Sequence, residues 1–435
     1  MLDDIEVIIL VGGKGTRLSS VISDIPKPLA PIQQKPFLSY LIDYCYRQGF
    51  RHFCLSAGYM ADKIVHFAAA KANTNLRIRI QREESPLGTG GATRDAIQTS
   101  CFSRFLVLNG DTFFTADNTI LIDTCNAKGS FGLGLRYTTN GTRYGSVKID
   151  SNYSIQSFKE KKPGISEGYI NAGIYYFTDK IIDNLPAQPC SLEEDIFPLL
   201  VEQKSLIGIP LGGQFIDIGI PEDFYRAQYN IPMWNIQKPK KCLFLDRDGI
   251  VIEDHGYVHK TEDVHLTPHI ISLIQTANRL GWLTIIVTNQ AGIGRGYFDE
   301  ATYHQCEQYI HQLLNKNGCH ITDTFMCPFH EEAGIGPYKR PSLQRKPEPG
   351  MLLQAMEKYP ISTRCSIMVG DKTSDQIRLP GLVSYILCNR KYPFKGRTPK
   401  YVINSLTELQ TQIGVSHDNK PTLRGDACSS SPELN

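Results

Sequence analysis

Seven short apolar runs limit the folds that this chain of 435 residues can adopt. They lie at 6–11, 52–57, 105–110, 173–177, 241–246, 283–288 and 365–370. Several are continuous rather than alternating in polarity, which is typical of strands in a sheet that is covered on both faces. Helical patterns lie between them, as at 36–49 and 268–281. This alternation predicts α/β folds with mostly parallel sheets.

The chain is too long for one typical hydrophobic core, and two large domains fit its length. The best boundary is the stretch 229–241, which holds two prolines and a basic cluster directly before a new strand. We therefore predict a first domain over 1–230, a linker over 231–241 and a second domain over 242–415. Residues 416–435 lack apolar periodicity, which predicts a disordered tail.

Composition and charge restrict the classes of partner. The formal net charge of +2 gives no reason to expect nucleic acid or an anionic membrane. We predict no membrane span, because no run approaches about 18 apolar residues, and no signal peptide, because the N-terminus lacks a basic segment. The twelve cysteines are scattered without CxxC pairs, which predicts free thiols in a cytoplasmic setting. A homo-oligomer is compatible with the sequence.

A glycine-rich loop follows the first strand, in VGGKGTRLSSVISDIPKPLAPI (11–32). Gly12, Gly13 and Gly15 allow backbone N–H groups to approach a polyphosphate without Cβ clashes. Arg17 and Lys27 would add cationic contacts to phosphate oxygens that gain charge. A lone GGxG is more often a mobile turn, so the surrounding pattern decides its meaning.

The combination of GGxGTRL with KPLxPI resembles the sugar-1-phosphate nucleotidyltransferases. Further motifs follow in the family's order: SPLGTGGA (85–92), LNGDTFF (108–114), FKEKK (158–162), INAGIYYF (170–177) and FIDIGIPEDF (215–224). One departure is Ile220, where threonine often follows DIG. The resemblance implies a Rossmann-like, GT-A-like domain in which a sugar 1-phosphate attacks the α-phosphorus of a nucleoside triphosphate. It implies catalytic roles for Arg17 and Lys27, Mg²⁺ binding by Asp111 and Asp217, and substrate binding by Gly12, Gly13, Gly15, Thr16, Gly88, Thr89, Glu160, Lys161 and Asn171.

Two aspartates close the strand that opens the second half, in FLDRDG (244–249). Asp246 is placed to attack phosphorus, and Asp248 to protonate the departing oxygen and then activate water. A lone DxD is a weak signal, but three further strand ends or loops supply matching chemistry. These are VTNQ with Thr288 and Asn289, QRKPEPG with Arg345 and Lys346, and IMVGDKTSDQ with Asp371 and Asp375.

Together these motifs resemble the haloacid dehalogenase phosphatases. Within them, DRDG, DHGYVH, GIGRGYF and RKPEPGM are similar to the D,D-heptose 1,7-bisphosphate phosphatases and the related histidinol phosphatases, over about 242–390. The resemblance implies a Rossmann-like domain in which Arg295 grips a distal phosphate. It also implies substrate contacts from Thr288, Asn289, Arg345 and Lys346, and Mg²⁺ binding by Asp246, Asp248 and Asp371, with Asp375 beside these ligands.

Some relatives in that family hold zinc through Cys-x-His and Cys-x-Cys pairs. Here Phe329 stands where the histidine would be, and Ser342 and Gln344 stand where cysteines would be. Cys327 and His330 alone cannot complete a tetrahedral site. We therefore expect no structural zinc, and we expect packing and hydrogen bonds to hold this loop.

The two resemblances fit one reaction sequence, because the product of the phosphatase is the sugar phosphate that the transferase uses. We predict a bifunctional enzyme that acts on heptose phosphates and GTP, with Mg²⁺ in both domains. The choice of GTP depends on the family resemblance alone. The alternatives are a mannose or glucose 1-phosphate nucleotidyltransferase joined to a histidinol-phosphate-type phosphatase, and a binding module in which one half has lost its activity.

Overall fold

A computed structural model of the chain describes residues 2–13, 15, 18, 21, 24–139, 146–159, 167–388 and 399–415. The predicted disordered tail, 416–435, lies outside these ranges. So do four residues predicted to take part in the sites, Thr16, Arg17, Glu160 and Lys161. Among the described residues, no helix has both the length and the apolar character to cross a membrane.

The chain divides into two compact units, Met1–Lys238 with Glu357–Pro360, and Pro239–Met356 with Ile361–Asn435. The strands of the first unit are β1 (Ile5–Leu10), β2 (Pro31–Ile32), β3 (Lys35–Pro36), β4 (His52–Ala57), β5 (Arg77–Arg82), β6 (Arg104–Asn109), β7 (Thr112–Phe114), β8 (Phe131–Thr138), β9 (Ser146–Ile149), β10 (Ile155–Lys159), β11 (Gly168–Thr178), β12 (Leu206–Leu211) and β13 (Phe215–Asp217). Its helices are α1 (Phe37–Gln48), α2 (Ala61–Lys71), α3 (Gly88–Gln98), α4 (Asn118–Lys128), α5 (Phe197–Glu202) and α6 (Pro221–Ile236).

The main sheet of the first unit has nine strands and is mixed. Strands β6, β1, β4 and β5 are neighbours in this order and run parallel. Strand β11 runs antiparallel to β6 and to β8, so this side of the sheet differs from the mostly parallel sheet predicted. Connections of fewer than ten residues join β8, β9, β10 and β11. They are too short for a crossover between parallel strands, which needs a dozen residues or more.

Strand β1 lies at the point where the strand order changes direction. The chain proceeds from β1 to β4 and β5 on one side and later adds β6 on the other. Ile5, Val7, Ile8 and Ile9 are fully buried, which explains why the run is continuously apolar. Ligands of such sheets bind beyond the carboxyl ends of the strands at this position, which here is the glycine-rich loop.

The second unit contains strands β14 (Cys242–Leu245), β15 (Leu283–Asn289), β16 (Asp323–Cys327), β17 (Ile367–Gly370), β18 (Val383–Leu387) and β19 (Tyr401–Ile403). Its helices are α7 (Ile270–Arg279), α8 (Ala291–Gly294), α9 (Glu300–Lys316), α10 (Gly350–Lys358) and α11 (Leu406–Val415). Helix α7 buries Ile270, Leu273, Ile274 and Ala277, the i, i+3, i+4, i+7 spacing of one helix face. The same spacing in the sequence is the basis for the helix predicted at 268–281.

The six strands of the second unit form one sheet in the order β16-β15-β14-β17-β18-β19, and all neighbours are parallel. Numbered along this unit, the order is 3-2-1-4-5-6, that of the Rossmann fold. The change of direction lies between β14 and β17. Aspartates follow both strands directly, so the fold brings distant parts of the sequence together there.

The stretch predicted as a linker, 231–241, begins inside helix α6, which continues to Ile236. The helix contains Pro232, whose ring nitrogen cannot donate to the carbonyl of Gln228 one turn earlier. That carbonyl instead accepts a hydrogen bond of 3.0 Å from Gln33 Nε2. Because this backbone group is satisfied, proline does not end the helix.

Candidate active sites

A cleft of about 950 Å³ opens beyond the carboxyl ends of β1 and β6 in the first unit. Strand β6 meets β1 closely here, since Gly110 N donates to Leu10 O at 3.0 Å and a Cβ at Gly110 would overlap that oxygen. Seven of the residues predicted from the sequence line the cleft: Gly12, Gly13, Gly15, Lys27, Gly88, Thr89 and Asp111.

Lys27 is the electrostatic centre of this cleft. It begins a short 3-10 helix, Lys27–Leu29, and its side chain is only 9% exposed. Its ammonium group lies 2.6 Å from Asp111 Oδ2 and 3.7 Å from Asp217 Oδ1. The two aspartates predicted to bind Mg²⁺ are therefore together, and the lysine offsets their mutual repulsion.

The predicted nucleotide loop is joined to the predicted sugar residue by a partly buried hydrogen-bond network. Thr89 Oγ1 donates to Glu193 at 2.8 Å, and Tyr175 OH donates to the same carboxylate at 3.0 Å. Asn171 Nδ2 in turn donates to Tyr175 OH at 3.1 Å. Glu193 was not predicted, because it lies in a short π-helix, Leu192–Ile196, and an isolated acidic residue carries no signal of its own in the sequence.

Glu83 is a second residue of this cleft that sequence patterns did not identify. It directly follows β5 and packs against Gly12, where a Cβ would overlap its carboxylate. Among the described residues, its side chain accepts two long hydrogen bonds, from Ser56 Oγ at 3.3 Å and Leu87 N at 3.4 Å. Burial raises the pKa of Glu83. A carboxylate held this loosely at a cleft wall retains capacity to accept hydrogen bonds from a ligand.

Three carboxylates meet at the switch point of the second sheet. Asp246 follows β14, Asp371 follows β17, and Asp375 closes the short helix Thr373–Asp375. One oxygen from each lies within 4.8 Å of the others, and all three side chains are buried. Neither oxygen of Asp371 has a hydrogen-bond partner among the described residues. Three buried carboxylates, with both oxygens of Asp371 available to accept, form a donor set that fits a hard divalent cation.

Two lysines balance part of this charge. Lys346 Nζ lies 2.9 Å from Asp246 Oδ1 and 2.6 Å from Asp375 Oδ1. Burial lowers the pKa of Lys346, but the charges of Asp246 and Asp375 outweigh burial and hold it above its usual value. Lys372 Nζ lies 3.9 Å from Asp371 Oδ1 and is ion-paired with Asp254 at 2.9 Å. Burial, together with the neighbouring carboxylates, raises the pKa of Asp371 to about 7.

The carboxylate of Asp248 is not part of the three-aspartate cluster, although we predicted it as a metal ligand. Its Oδ1 accepts from Arg247 Nε and Nη2 at 3.1 and 2.8 Å. Its Oδ2 accepts from Gln290 Nε2 at 2.9 Å. Both oxygens are thus engaged beside the cluster, and Asp375, which we had placed next to the ligands, supplies the third carboxylate.

The remaining predicted residues of the second unit are Thr288 and Asn289, at the end of β15, and Arg295 and Arg345, which lie outside the strands. Thr288 is fully buried and accepts from Gln290 Nε2 at 2.9 Å. The side chain of Asn289 pairs with the backbone of Lys346: its Nδ2 donates to Lys346 O at 3.2 Å, and its Oδ1 accepts from Lys346 N at 3.0 Å. These bonds fix the strand end to the loop that carries the lysine. Burial lowers the pKa of His330, and the nearby positive charges of Arg345 and Arg295 lower it further.

The loop that lacks the zinc ligands is held by aromatic and polar contacts. The Arg340 guanidinium lies 3.6 Å from the centre of the Phe329 ring, an attractive cation–π arrangement. His330 Nδ1 accepts from the backbone N–H groups of Glu332 and Ala333. Arg345 Nη1 donates to Phe329 O at 3.2 Å. The loop contacts therefore also restrain Arg345, a predicted substrate ligand.

Comparison with known proteins assigns the first unit. The nucleotidyl transferase family model matches residues 6–233, which is more than half of the chain. The chain belongs to the nucleotidyl transferase family. One relative, D-glycero-alpha-D-manno-heptose 1-phosphate guanylyltransferase of Aneurinibacillus thermoaerophilus, is 37% identical over 225 residues, covering 51% of this chain and 96% of that protein.

The C-terminal part of this nucleotidyltransferase chain matches phosphatases. D-glycero-alpha-D-manno-heptose-1,7-bisphosphate 7-phosphatase of Burkholderia mallei is 43% identical over 135 residues, covering 31% of this chain and 71% of that protein. D-glycero-beta-D-manno-heptose-1,7-bisphosphate 7-phosphatase of Pasteurella multocida is 37% identical over 179 residues, covering 40% of this chain and 97% of that protein. The predicted fusion of a nucleotidyltransferase domain with a haloacid dehalogenase-type phosphatase domain is confirmed.

The acidic cluster predicts how a divalent cation affects stability. At about pH 8, above the pKa of Asp371 at about 7, the Asp371 carboxylate is ionised, and a cation such as Mg²⁺ or Mn²⁺ should stabilise the fold. At about 100 times the Kd the gain is about 2.7 kcal/mol. Asp371→Asn should abolish this gain in thermal unfolding, whereas Asp263→Asn, an exposed control, should retain it. An undiminished cation effect in Asp371→Asn would contradict the assignment of this cluster.

Proposed function

We propose that this chain is a bifunctional enzyme of GDP-heptose biosynthesis. Residues 242–415 remove the 7-phosphate of D-glycero-D-manno-heptose 1,7-bisphosphate. Residues 1–230 then transfer GMP from GTP to the heptose 1-phosphate, giving GDP-D-glycero-α-D-manno-heptose and pyrophosphate. The observation that carries the proposal is that one chain contains both sites, and that the relatives of its two parts are named for consecutive steps on one sugar.

In the phosphatase site, the Asp246 carboxylate attacks phosphorus while the bond from phosphorus to the sugar oxygen breaks. Asp248 donates a proton to that oxygen and then, as a base, takes one from the water that hydrolyses the aspartyl phosphate. Lys346, 2.9 Å from Asp246, orients the nucleophile, and Thr288 and Asn289 bind phosphate oxygens. Mg²⁺ held by Asp246, Asp371 and Asp375 would neutralise charge on the phosphoryl group.

In the transferase site, an oxygen of the sugar 1-phosphate attacks the α-phosphorus of GTP, and pyrophosphate leaves. Both reactants are anions, so their approach depends on positive charge. Lys27, with Arg17 as predicted from the sequence, supplies this charge beside the backbone N–H groups of Gly12, Gly13 and Gly15. Mg²⁺ at Asp111 and Asp217 would lower the repulsion further, and Asn171, Glu160 and Lys161 bind the sugar and its phosphate.

Glu83 supports guanine as the base. Guanine has two adjacent donors on one edge, N1–H and the exocyclic amino group, which match the two oxygens of a carboxylate. Uracil and thymine present only one ring N–H, between two carbonyl oxygens that a carboxylate would repel. A loosely bound carboxylate that packs against Gly12 in the cleft therefore favours GTP over UTP or dTTP.

The reaction sequence is that of a cytoplasmic enzyme with small-molecule substrates. Its product would serve bacterial surface glycans such as capsule or lipopolysaccharide. Nucleic acid and membranes have no role in the proposal, and a homo-oligomer is compatible with it. The aromatic and polar contacts of the loop at Phe329 support a fold without structural zinc.

Glu83→Gln tests the choice of base. The amide would place an N–H₂ group against one of the guanine donors and remove a charged hydrogen bond, which is worth about 1.5–3 kcal/mol. We expect kcat/KM for GTP to fall about 10- to 100-fold, with a smaller change for UTP, in a pyrophosphate-release assay. Glu202→Gln, an exposed control, should behave as wild type. An unchanged preference for GTP in Glu83→Gln would rule out this role.

Substitutions in each site test the division of labour. The wild-type chain is incubated with heptose 1,7-bisphosphate, GTP and Mg²⁺, and the products are measured by mass spectrometry. Asp246→Asn should abolish phosphate release but still convert supplied heptose 1-phosphate to GDP-heptose. Lys27→Ala should do the reverse, accumulating heptose 1-phosphate.

The same assay distinguishes the alternatives. No phosphate release from the bisphosphate by the wild-type chain would overturn the proposal. Equal or better transfer to mannose 1-phosphate or glucose 1-phosphate would change the assigned sugar. Loss of both activities in either variant would contradict two independent sites.

A further inference from the structure

Arg247, between the two aspartates of DRDG, is a fully buried cation. Its side chain has no exposed area, and its Nε and Nη2 both contact Asp248 Oδ1. Nη2 also donates to Val258 O at 2.7 Å. The guanidinium thus determines where one oxygen of Asp248 lies. Its own position depends on the contacts of its remaining atoms.

Glu307 of helix α9 approaches the guanidinium nitrogen that does not contact Asp248. Its Oε2 is 4.0 Å from Arg247 Nη1, and neither of these buried atoms has a hydrogen-bond partner among the described residues. The Tyr303 ring, one turn earlier on α9, lies 5.4 Å from the guanidinium carbon. Arg247 is therefore held between two carboxylates and against one aromatic face.

The other carboxylate oxygen of Glu307 is restrained as well. Its Oε1 accepts from Thr324 Oγ1 at 3.1 Å, and His311 Nε2 lies 3.3 Å from the same oxygen. Thr324 belongs to strand β16 and His311 to α9, so a strand and a helix both fix the carboxylate. The result is a continuous chain of contacts from β16 to Asp248, through Glu307 and Arg247.

Burying these charged groups costs desolvation free energy, and a purely structural role would not require charged groups at these positions. A buried ion set is often no more stabilising than apolar residues of the same volume, whereas removal of one member leaves an uncompensated charge. Apolar side chains at 247 and 307 would fill the same space. What they would not do is hold one Asp248 oxygen in place while Gln290 holds the other.

We propose that Glu307 is a positioning residue for phosphate release, acting through Arg247 to hold the Asp248 carboxylate in the geometry that proton transfer requires. The inference rests on the proposed role of Asp248 in the phosphatase reaction. Glu307 attracts the guanidinium through Nη1, while Nε and Nη2 contact Asp248, so that Arg247 keeps the position in which it orients the Asp248 carboxylate. Glu307 touches neither substrate nor cation.

The test compares Glu307→Gln, Glu307→Asp and the exposed control Glu262→Gln in the full-length chain. Glu307→Gln keeps the size of the side chain but removes its charge. We expect its kcat for phosphate release from heptose 1,7-bisphosphate to fall about 10- to 100-fold, as for small displacements of catalytic groups, with KM within about twofold. Glu307→Asp keeps the charge and should recover part of the loss. Nucleotidyl transfer and the Glu262→Gln control should remain at wild-type levels.

Three outcomes would overturn the inference. Wild-type kcat in Glu307→Gln shows that positioning from this side is unnecessary. A loss that Glu307→Asp does not recover, with KM raised as strongly as kcat falls and a lowered unfolding temperature, shows a structural role only. No phosphate release by the wild-type chain removes the proposed function and this inference together, which separates that failure from the first two.

Discussion

Each site in this chain depends on a buried lysine that keeps two aspartates together. Lys27 lies between Asp111 and Asp217, and Lys346 lies between Asp246 and Asp375. Paired carboxylates repel each other and lose solvation on burial, so without the ammonium group they would separate or take up protons. The lysines therefore make a concentration of negative charge compatible with folding, while leaving oxygens for phosphoryl-transfer chemistry.

The position of both lysine-centred sites follows from parallel strands. Where neighbouring strands β1 and β6, or β14 and β17, end at the same edge, the residues after them meet although they are far apart in sequence. Lys27 lies in the segment that follows β1, and Lys346 lies in the loop between β16 and α10. The ends of β6, β14 and β17 thus place Asp111, Asp246 and Asp371. The connecting segments supply the cations, the glycines and the substrate contacts that differ between the two reactions.

The sequence predicted the features that depend on local pattern. Continuous apolar runs indicated buried strands, and ordered motifs indicated both reactions, because strand ends and phosphate loops require particular residues at fixed spacing. It did not predict the mixed part of the first sheet or the helix that continues through Pro232, since these depend on connection geometry and on one distant hydrogen bond from Gln33. Glu83 and Glu307 were not identified either, because an isolated acidic residue acquires meaning only from its three-dimensional neighbours.

The central claim is that Asp246 accepts the phosphoryl group beside a divalent cation at the switch point of the second sheet. A crystal structure of the full chain with Mg²⁺ and beryllium fluoride, a mimic of the phosphoryl group, tests it most directly. The account predicts a trifluoroberyllate bonded to an oxygen of Asp246, with the cation contacting Asp246 and Asp371. Beryllium fluoride bound elsewhere, or an Asp246 carboxylate turned away from the anion, would contradict it.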